Sequence, residues 1–447
     1  MTVEICTVSG FDDVGRNMVA VRVDDEVVIC DMGIHLENYM KLTDEEEENS
    51  SSLNRDALIK ARAIPDDGLI SEWKGMVKAI VPSHAHLDHL GAIPYLAHHY
   101  DAPIMGTPYT VQVLRHLLED NDVRLRNKLQ VVEPNGRVKL SKNITLEMVN
   151  ITHSTPHTAM VVIHTPAGAI VYANDFKLDD TPTLGKPPNY ARLAELEKEG
   201  TLAIFIDSTN ADVDAKTPSE KVAKDMLSDV LMSQRHNGRG IIVTTFSSHI
   251  ARLKSIIEIG QKMGRKVVIL GRSMAKYISA AEEISLVDFK GKAEIVRFSA
   301  KVGEKLRKID RDGKEKYLII CTGHQGEPKS VLSKIASGLL NFNMGPQDAI
   351  VFSCRVIPTP TNRKNRERLE SHLRRTNVRI FKDVHQSGHA SGQDVRYVLE
   401  LLKPKHIIPS HGAKASKDAV RRMATMLGYG ERQVHMAHDG QRVILSP

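Results

Sequence analysis

The segment His84–His89, with the sequence HAHLDH, places three histidines and one aspartate within six residues. It follows Met76–Pro82, a β-branched run that ends in proline and is typical of a buried strand. Behind it, Gly91 and Pro94 lead into an apolar stretch that is typical of a helix. Because α/β sheets usually carry their sites at the C-terminal ends of strands, this segment predicts an α/β fold with a functional loop here.

Imidazole and carboxylate groups in this pattern are typical ligands of zinc, and they also suit manganese. In an extended segment His84, His86 and Asp88 would share one side, and His89 would face the other. One loop can then serve two ions, the first through His84 and His86 and the second through Asp88 and His89. Solvated histidines at a strand end are the usual explanation of a lone histidine, but this pattern favours metal binding. We therefore expect two divalent metal ions, Zn²⁺ in preference to Mn²⁺.

Other acids and histidines follow strand-like runs later in the chain. His153 and Asp175 each come where such a run gives way to a loop, so they can complete the two metal sites. His157 is an alternative to His153 as a ligand. His411 is a further candidate, because it follows another apolar run. Asp31 also stands at a strand end, where a turn residue is an equally good explanation.

Composition narrows the classes of protein. Hydrophobic residues make up 41% of the chain and charged residues 26%, which is ordinary for a globular protein with a sizeable core. We expect no membrane partner, since no apolar run has the length to cross a bilayer and the N-terminus has no signal-peptide pattern. The four scattered cysteines predict buried thiols in a reducing cytoplasm.

Charge favours an anionic partner. The net charge is +6, and basic residues cluster within 301–316 and 363–375. Aromatic residues make up only 4%, so a nucleic-acid groove would depend on phosphate contacts more than on extensive base stacking. Residues 210–368 show an α/β alternation of their own, with serine, glycine and arginine in loops after the strands. Such loops suit phosphate binding through hydroxyls and backbone N–H groups.

In this order, the motifs resemble those of metallo-β-lactamase-fold hydrolases of the β-CASP group, and more specifically the ribonuclease J family in its short archaeal form. The resemblance covers nearly the whole chain. The residues and segments that carry it are Asp31, HAHLDH at 84–89, THS at 152–154, Asp175, DSTN at 207–210, CTGHQGEP at 321–328, VIP at 356–358, SGHA at 387–390 and SHG at 410–412. It implies a four-layered αββα metallo-β-lactamase sandwich with an inserted α/β β-CASP domain. The domain boundaries that we expect are 1–208 and 369–447 for the first domain and 209–368 for the second.

The resemblance also implies roles for individual residues. One metal ion would be held by His84, His86, His153 and Asp175, and the other by Asp88, His89, Asp175 and His411. Asp31 would orient the histidine loop from behind the ligands. The catalytic residues would be Asp207, His389 and Asp175. Ser247, Ser387, Gly388 and His389 would bind an RNA phosphate.

The implied function is metal-dependent hydrolysis of RNA in decay and processing, by a cytoplasmic 5′-to-3′ exoribonuclease that prefers 5′-monophosphorylated RNA and can also cut internally. A histidine at position 411 is associated with RNA substrates in this group, whereas DNA-acting relatives have an apolar residue there. The alternatives are an endoribonuclease of the polyadenylation-factor type, a DNA nuclease and a small-ester hydrolase, although the last would not need a second domain. A catalytically inactive RNA-binding scaffold should have lost some metal ligands, whereas all the ligands that the resemblance implies are present in this sequence. In bacterial members, a domain beyond the equivalent of Pro447 helps dimerisation. We expect that a homodimer of this chain would form by another route, and whether it does is an open question.

Overall fold

The computed structural model describes residues 2–49, 54–233 and 240–446. The chain forms two compact units: unit 1 contains residues 1–180, 185–217 and 387–447, and unit 2 contains residues 181–184 and 218–386. Apart from residues 181–184, the chain passes from unit 1 to unit 2 after residue 217 and returns after residue 386. Both boundaries lie later in the chain than those expected, at 208/209 and 368/369. The second difference has a clear cause, because residues 369–386 complete a helix and the last strand of the sheet of unit 2.

Unit 1 contains two mixed sheets. The first has seven strands in the order β19-β1-β2-β3-β4-β5-β6, and the second has six in the order β18-β11-β10-β9-β8-β7. The strands are β1 (Val3–Ser9), β2 (Met18–Val23), β3 (Glu26–Cys30), β4 (Val77–Val81), β5 (Ile104–Gly106), β6 (Leu129–Val131), β7 (Arg137–Lys139), β8 (Thr145–Asn150), β9 (Ala159–Thr165), β10 (Gly168–Ala173), β11 (Thr201–Asp207), β18 (His406–Ser410) and β19 (Gln441–Leu445).

Helices cover both outer faces of this pair of sheets. The helices of unit 1 are α1 (Leu36–Asn49), α2 (Arg55–Lys60), α3 (Leu87–Leu90), α4 (Ile93–Leu96), α5 (Pro108–Asp120), α6 (Tyr190–Glu199), α13 (Gly392–Leu402) and α14 (Lys414–Met426), with 3₁₀ segments at Asp67–Met76, Ala97–His99 and Glu431–Gln433. One core lies between the sheets, where Val21 and Val81 share a cluster with Val161. A second core joins the other face of the second sheet to α6, α13 and α14. The layers confirm the expected αββα sandwich.

Unit 2 is a parallel α/β layer structure. Its six strands have the order β14-β13-β15-β12-β16-β17, and every neighbouring pair is parallel. They are β12 (Ile241–Thr244), β13 (Lys266–Leu270), β14 (Ala293–Val296), β15 (Tyr317–Cys321), β16 (Ala349–Phe352) and β17 (Arg379–Phe381), with α7 (Glu220–Ser233), α8 (Ile250–Lys262), α9 (Arg272–Glu283), α10 (Ser299–Asp312), α11 (Val331–Ala336), α12 (Pro360–Arg375) and a 3₁₀ turn at Lys314–Lys316. Parallel strands need such crossover helices. No helix among the described residues has the length and apolar character to cross a membrane.

Strand register in unit 1 brings separate loops to one edge. β10, β11 and β18 run parallel, so Ala173 lies opposite Ile206 and Asp207 opposite Ser410. β3 and β4 are also parallel, with Cys30 opposite Val81. The residues that follow these strand ends therefore emerge close together, although they are far apart in sequence.

Candidate metal centre

The histidine loop is extended only as far as His86. Its backbone there has φ −78° and ψ 148°, and α3 begins at the next residue. The expectation of an extended segment through Asp88 and His89 is therefore wrong, because both residues lie in the helical turn of α3. The ring of His89 remains beside that of His84, with 4.1 Å between the ring centres. The two expected pairs nevertheless fall in two different clusters of potential ligands, and their role in metal binding stays a prediction.

The first cluster consists of three imidazoles and one carboxylate whose facing atoms all lie within 4.8 Å of one another. His86 Nδ1 lies 3.0 Å from His84 Nε2 and 3.2 Å from His153 Nε2. Asp175 Oδ2 lies 3.6 Å from His84 Nε2 and 3.4 Å from His153 Nε2. Ring nitrogens that converge in this way present lone pairs toward a common point, as metal ligands do.

The second cluster uses the other oxygen of the same carboxylate. Asp175 Oδ1 lies 3.3 Å from His89 Nε2 and 3.4 Å from His411 Nε2. Asp88 Oδ2 is 3.5 Å from His89 Nε2 and 3.9 Å from His411 Nε2. Asp175 Oδ1 is buried and has no hydrogen-bond partner among the described residues. A buried carboxylate oxygen in this state is costly, and a cation would satisfy it.

The ring nitrogens that point away from the clusters are held by polar groups. The contacts are His84 Nδ1 to Ser83 Oγ at 3.1 Å, His86 Nε2 to Ser154 Oγ at 3.3 Å, His153 Nδ1 to the Gly388 carbonyl at 2.6 Å, His89 Nδ1 to Asp31 Oδ2 at 2.7 Å and His411 Nδ1 to Asn17 Oδ1 at 3.1 Å. Such contacts fix the orientation of a ring and the tautomer that faces a metal.

Asp31 lies behind the loop and restrains it at two points. One of its oxygens accepts the His89 contact, and the other accepts the Ser83 backbone N–H at 2.7 Å. Asp31 and His411 both have positive φ, 62° and 49°. Non-glycine residues in this region are strained and often mark functional sites. Gly33 permits the close approach of the loop, because a Cβ there would lie 1.6 Å from the Asp88 carbonyl oxygen.

Burial and charge set the protonation of the histidines. Burial holds the pKa of His84 and His153 well below the ordinary value and lowers that of His86 to about 4. These rings are therefore neutral, which is the form that binds a metal. Burial also disfavours the charged form of His89, but the carboxylate of Asp175, with other acids, outweighs it and raises the pKa of His89.

Asp207 and His389 form a pair beside the first cluster. His389 Nδ1 lies 2.8 Å from Asp207 Oδ2, and His389 Nε2 lies 3.9 Å from Asp175 Oδ2. Burial alone would lower the pKa of His389, but the carboxylates of Asp207 and Asp175 raise it to about 9. A protonated imidazole whose position is fixed by a carboxylate is able to donate a proton.

The residues predicted to bind phosphate lie in two places. In unit 1 the Ser387 hydroxyl accepts from the His389 backbone N–H at 3.1 Å, while Gly388 is the carbonyl partner of His153. In unit 2, Ser247 lies after β12, with its hydroxyl 2.9 Å from that of Ser273. Their joint action on one phosphate stays a prediction.

Two residues change the list of candidates. His157, the alternative to His153, is in neither cluster. Asn17 was missed: its Oδ1 accepts from His411 and from Asn174, and its Nδ2 donates to the Asp88 carbonyl oxygen at 2.9 Å. A single asparagine before a strand has no spacing signal, so its role is visible only from tertiary contacts.

Family models match most of the chain. Residues 69–191 match a beta-lactamase superfamily domain, residues 237–369 a ribonuclease J beta-CASP domain, and residues 376–436 a zinc-dependent metallo-hydrolase RNA specificity domain. A solved protein of unknown function from Enterococcus faecalis V583 is similar over all of both chains, with a TM-score of 0.66 and 16% identity, which shows a likeness of fold alone.

Full-length relatives carry the family assignment. The chain is 44% identical to ribonuclease J of Methanocaldococcus jannaschii, over 99% of this chain and 98% of the relative. It is 44% identical to ribonuclease J of Pyrococcus abyssi, over 92% and 90% of the two chains, and 33% identical to that of Thermus thermophilus, over 92% and 68%. The chain therefore belongs to the ribonuclease J family, within the β-CASP group of metallo-β-lactamase-fold, metal-dependent ribonucleases.

Proposed function

We propose that this protein hydrolyses RNA phosphodiester bonds with two divalent ions bound in the two clusters. The observation that carries the proposal is the position of Asp175, whose Oδ2 faces the first cluster while its Oδ1 faces the second. Such a carboxylate suits a bridge between two cations. Membership of the ribonuclease J family supports RNA as the substrate class.

The ligands that we assign follow the two clusters: His84, His86, His153 and Asp175 for one ion, and Asp88, His89, Asp175 and His411 for the other. This mixture of nitrogen and oxygen donors suits Zn²⁺, and Mn²⁺ is also accommodated. Bound ions would supply a water molecule of lowered pKa and compensate the charge of the phosphate. Asp31 acts as a positioning residue because it contacts His89 Nδ1, and Asn17 because its Oδ1 contacts His411 Nδ1. The Nδ2 of Asn17 also lies 3.1 Å from His89 Nε2.

His389 is the residue to which we assign proton donation. Asp207 holds its Nδ1, so that Nε2 faces the ligands, and the Asp207 carboxylate raises the pKa of the ring and so favours its protonated form. From Nε2 it can give a proton to the leaving oxygen or stabilise charge on the phosphate in the transition state. Asp207 acts through His389 and is a positioning residue.

For direction, we propose 5′-to-3′ exonuclease action with a preference for a 5′-monophosphate. The Ser387 loop of unit 1 supports this proposal, because hydroxyl and N–H groups suit a terminal phosphate. Unit 2 has its own pair of hydroxyls, at Ser247 and Ser273. A cytoplasmic location is supported by four cysteines that are free and buried. A homodimer stays a prediction from the family resemblance, and sedimentation equilibrium would test it.

The test is a time course on one RNA labelled at either end, carrying a 5′-monophosphate or a 5′-triphosphate, with Zn²⁺ or Mn²⁺. We expect mononucleotides from the 5′ label at the first time point and faster cleavage of the monophosphate. Internal fragments at equal rates would contradict the exonuclease direction alone. Retained hydrolysis when His84 and His86 are both replaced by alanine would contradict the two-metal proposal itself.

A further inference from the structure

A basic depression surrounds an exposed aromatic ring in unit 2. The depression has a volume of about 540 Å³ and is lined by residues of β14 and α10 and of the link between them. The lining includes Arg297, Phe298, Lys301, Lys305, Lys308 and Arg311. The ligands assigned to the metal ions all belong to unit 1, so this surface has no part in the chemistry assigned above.

Phe298 is the unusual residue of this surface. Its side chain is 61% exposed, immediately before the first turn of α10. The apolar side of the helix is occupied by Val302, Leu306 and Ile309, which are buried in the core of unit 2. The core is therefore complete without Phe298, and leaving a phenylalanine in water forgoes the favourable free energy of burying it. An exposed ring among cations is the pattern of a platform on which a base stacks.

The charges around the ring are mainly positive. Lys305 pairs with Glu294 and lies 5.6 Å from the centre of the Tyr317 ring, so it belongs to the structure of the unit. The exposed Lys301, Lys308 and Arg311 are i, i+7 and i+10 along α10, and they span about 15 Å of helix. A row of this length matches a polyanion better than a single carboxylate.

The basic run on α12 differs from the run on α10. Two of its arginines, Arg366 and Arg374, hydrogen-bond to the carboxylate of Glu370. Its aromatic partner is internal, since the Arg366 guanidinium lies 3.3 Å from the centre of the ring of Phe352, a fully buried residue. Arg366 is thus an internal residue, and the exposed members of the run, Arg363, Lys364 and Arg368, provide a matched control.

We infer that the α10 surface binds single-stranded RNA, with Phe298 stacked on a base and with Lys301, Lys308 and Arg311 on neighbouring phosphates. The inference rests on the proposed hydrolysis of RNA and extends it. The surface would hold part of a long substrate in addition to the part at the metal ions. A long RNA would then bind more tightly than a short one, although both undergo the same reaction.

The test compares the wild type with two triple variants and one single variant. K301A/K308A/R311A and F298A alter the surface, and R363A/K364A/R368A is the control with the same change of charge. Affinity is measured in EDTA, which prevents cleavage, with a labelled unstructured RNA of about thirty nucleotides over a range of salt concentrations. Hydrolysis of a tetranucleotide with metal present verifies that each variant is folded and active.

We expect about tenfold weaker binding for F298A, in line with the loss of one stacked base. For K301A/K308A/R311A we expect a larger loss, and the slope of log K against log salt should fall by about 2, since each lost phosphate contact removes about 0.7. The control should bind like the wild type, and tetranucleotide hydrolysis should not change in any variant. Unchanged binding by both surface variants, or an equal loss in the control, would overturn the inference. If the surface variants bind RNA more weakly, as expected, but the wild type does not hydrolyse RNA, only the proposed function is contradicted.

Discussion

Both units bury histidines together with carboxylates, but the two groups differ in how their polar atoms are satisfied. In unit 2, Arg252 donates from Nε and Nη2 to the two oxygens of Glu220 at 2.5 and 2.7 Å. Its Nη1 donates to the carbonyl and hydroxyl oxygens of Ser353, directly after β16. In unit 1, by contrast, imidazoles face one another and Asp175 Oδ1 has no hydrogen-bond partner among the described residues.

We interpret the group in unit 2 as structural and the clusters in unit 1 as candidate metal ligands. The Arg252–Glu220 pair supplies both signs of charge, so each group is compensated within the protein. The metal centre contains only neutral or anionic donors apart from His89 and His389, and several of its atoms point at a common space. Sequence alone does not distinguish the two, since His249 and His385 also stand in polar loops after strands. The informative property is whether the carboxylate is paired with an arginine, which keeps its charge, or with imidazoles, which can lose a proton and bind a metal.

The largest effect that we expect separates the two carboxylates. Asp175→Asn should lower kcat for RNA hydrolysis at least about a thousandfold, because metal-derived stabilisation of the transition state is worth several kcal/mol. Glu220→Gln, the matched change in unit 2, should leave kcat within about twofold at temperatures where the variant is folded. A comparable loss of kcat in both variants would contradict the distinction.

The next effect is on stability. Arg252→Met should lower the free energy of unfolding by about 3–5 kcal/mol, because it leaves the Glu220 carboxylate buried without its partner. Denaturation by urea, monitored in unit 2, measures this. Adding Glu220→Leu to the same protein should restore much of the loss, since apolar replacement of a whole buried pair is tolerated. A double variant that is less stable than the single variant would show that the pair has another role.

A smaller effect is expected behind the ligands. Asp31→Asn keeps the shape of the side chain but removes the charge that faces His89 Nδ1 at 2.7 Å. Metal affinity should fall roughly 10- to 100-fold, the range typical of such supporting residues. Competition with a fluorescent chelator measures the affinity, and unchanged affinity would assign Asp31 a purely structural role. Ser83→Ala is the milder comparison, because its backbone N–H still reaches Asp31.

The effect that is smallest near neutral pH concerns His385. Burial, with the neighbouring Arg252 and His249, lowers the pKa of His385 from 6.5 to about 2. As the pH falls, His385 is therefore protonated in the unfolded chain before it is protonated in the folded chain. The contribution of His385 to the free energy of unfolding is complete above pH 6.5 and is lost as the pH falls toward 2. His385→Leu should remove a slope of up to about 1.4 kcal/mol per pH unit from the unfolding free energy in this range. His372→Leu, on the partly exposed side of α12, is the control and should retain the slope.

The local pattern of candidate ligands could be predicted from sequence, but of the supporting residues only Asp31 was expected. His84, His86 and His89 stand within one short segment, and their chemistry is recognisable from spacing alone. Asn17 and Ser154 contact these ligands only because distant strands meet at one edge. The turn at α3 was also missed, because four residues are too few to show a helical period.

The layers of the fold could be predicted from the family motifs. The residues at which the chain passes between the two units could not, because they depend on the pairing of strands that are distant in sequence. The strand β17 adds to β16 in parallel, with Ala349 opposite Arg379. Nothing local to residues 369–386 indicates that partner. Likewise, both basic runs look alike in sequence, and only burial shows that Arg366 is internal while Lys301 is exposed.

The count of bound metal ions per chain tests the central claim most directly. Elemental analysis by mass spectrometry, after loading with Zn²⁺ or Mn²⁺ and removal of free metal, should give about two ions per chain for the wild type and for Arg252→Met. The variant with alanine at both His84 and His86 should retain about one, because it keeps only the second cluster intact. The assignment of the metals to the clusters around Asp175 would be contradicted if the double-alanine variant kept two ions. It would also be contradicted if Arg252→Met lost as many ions as the double-alanine variant.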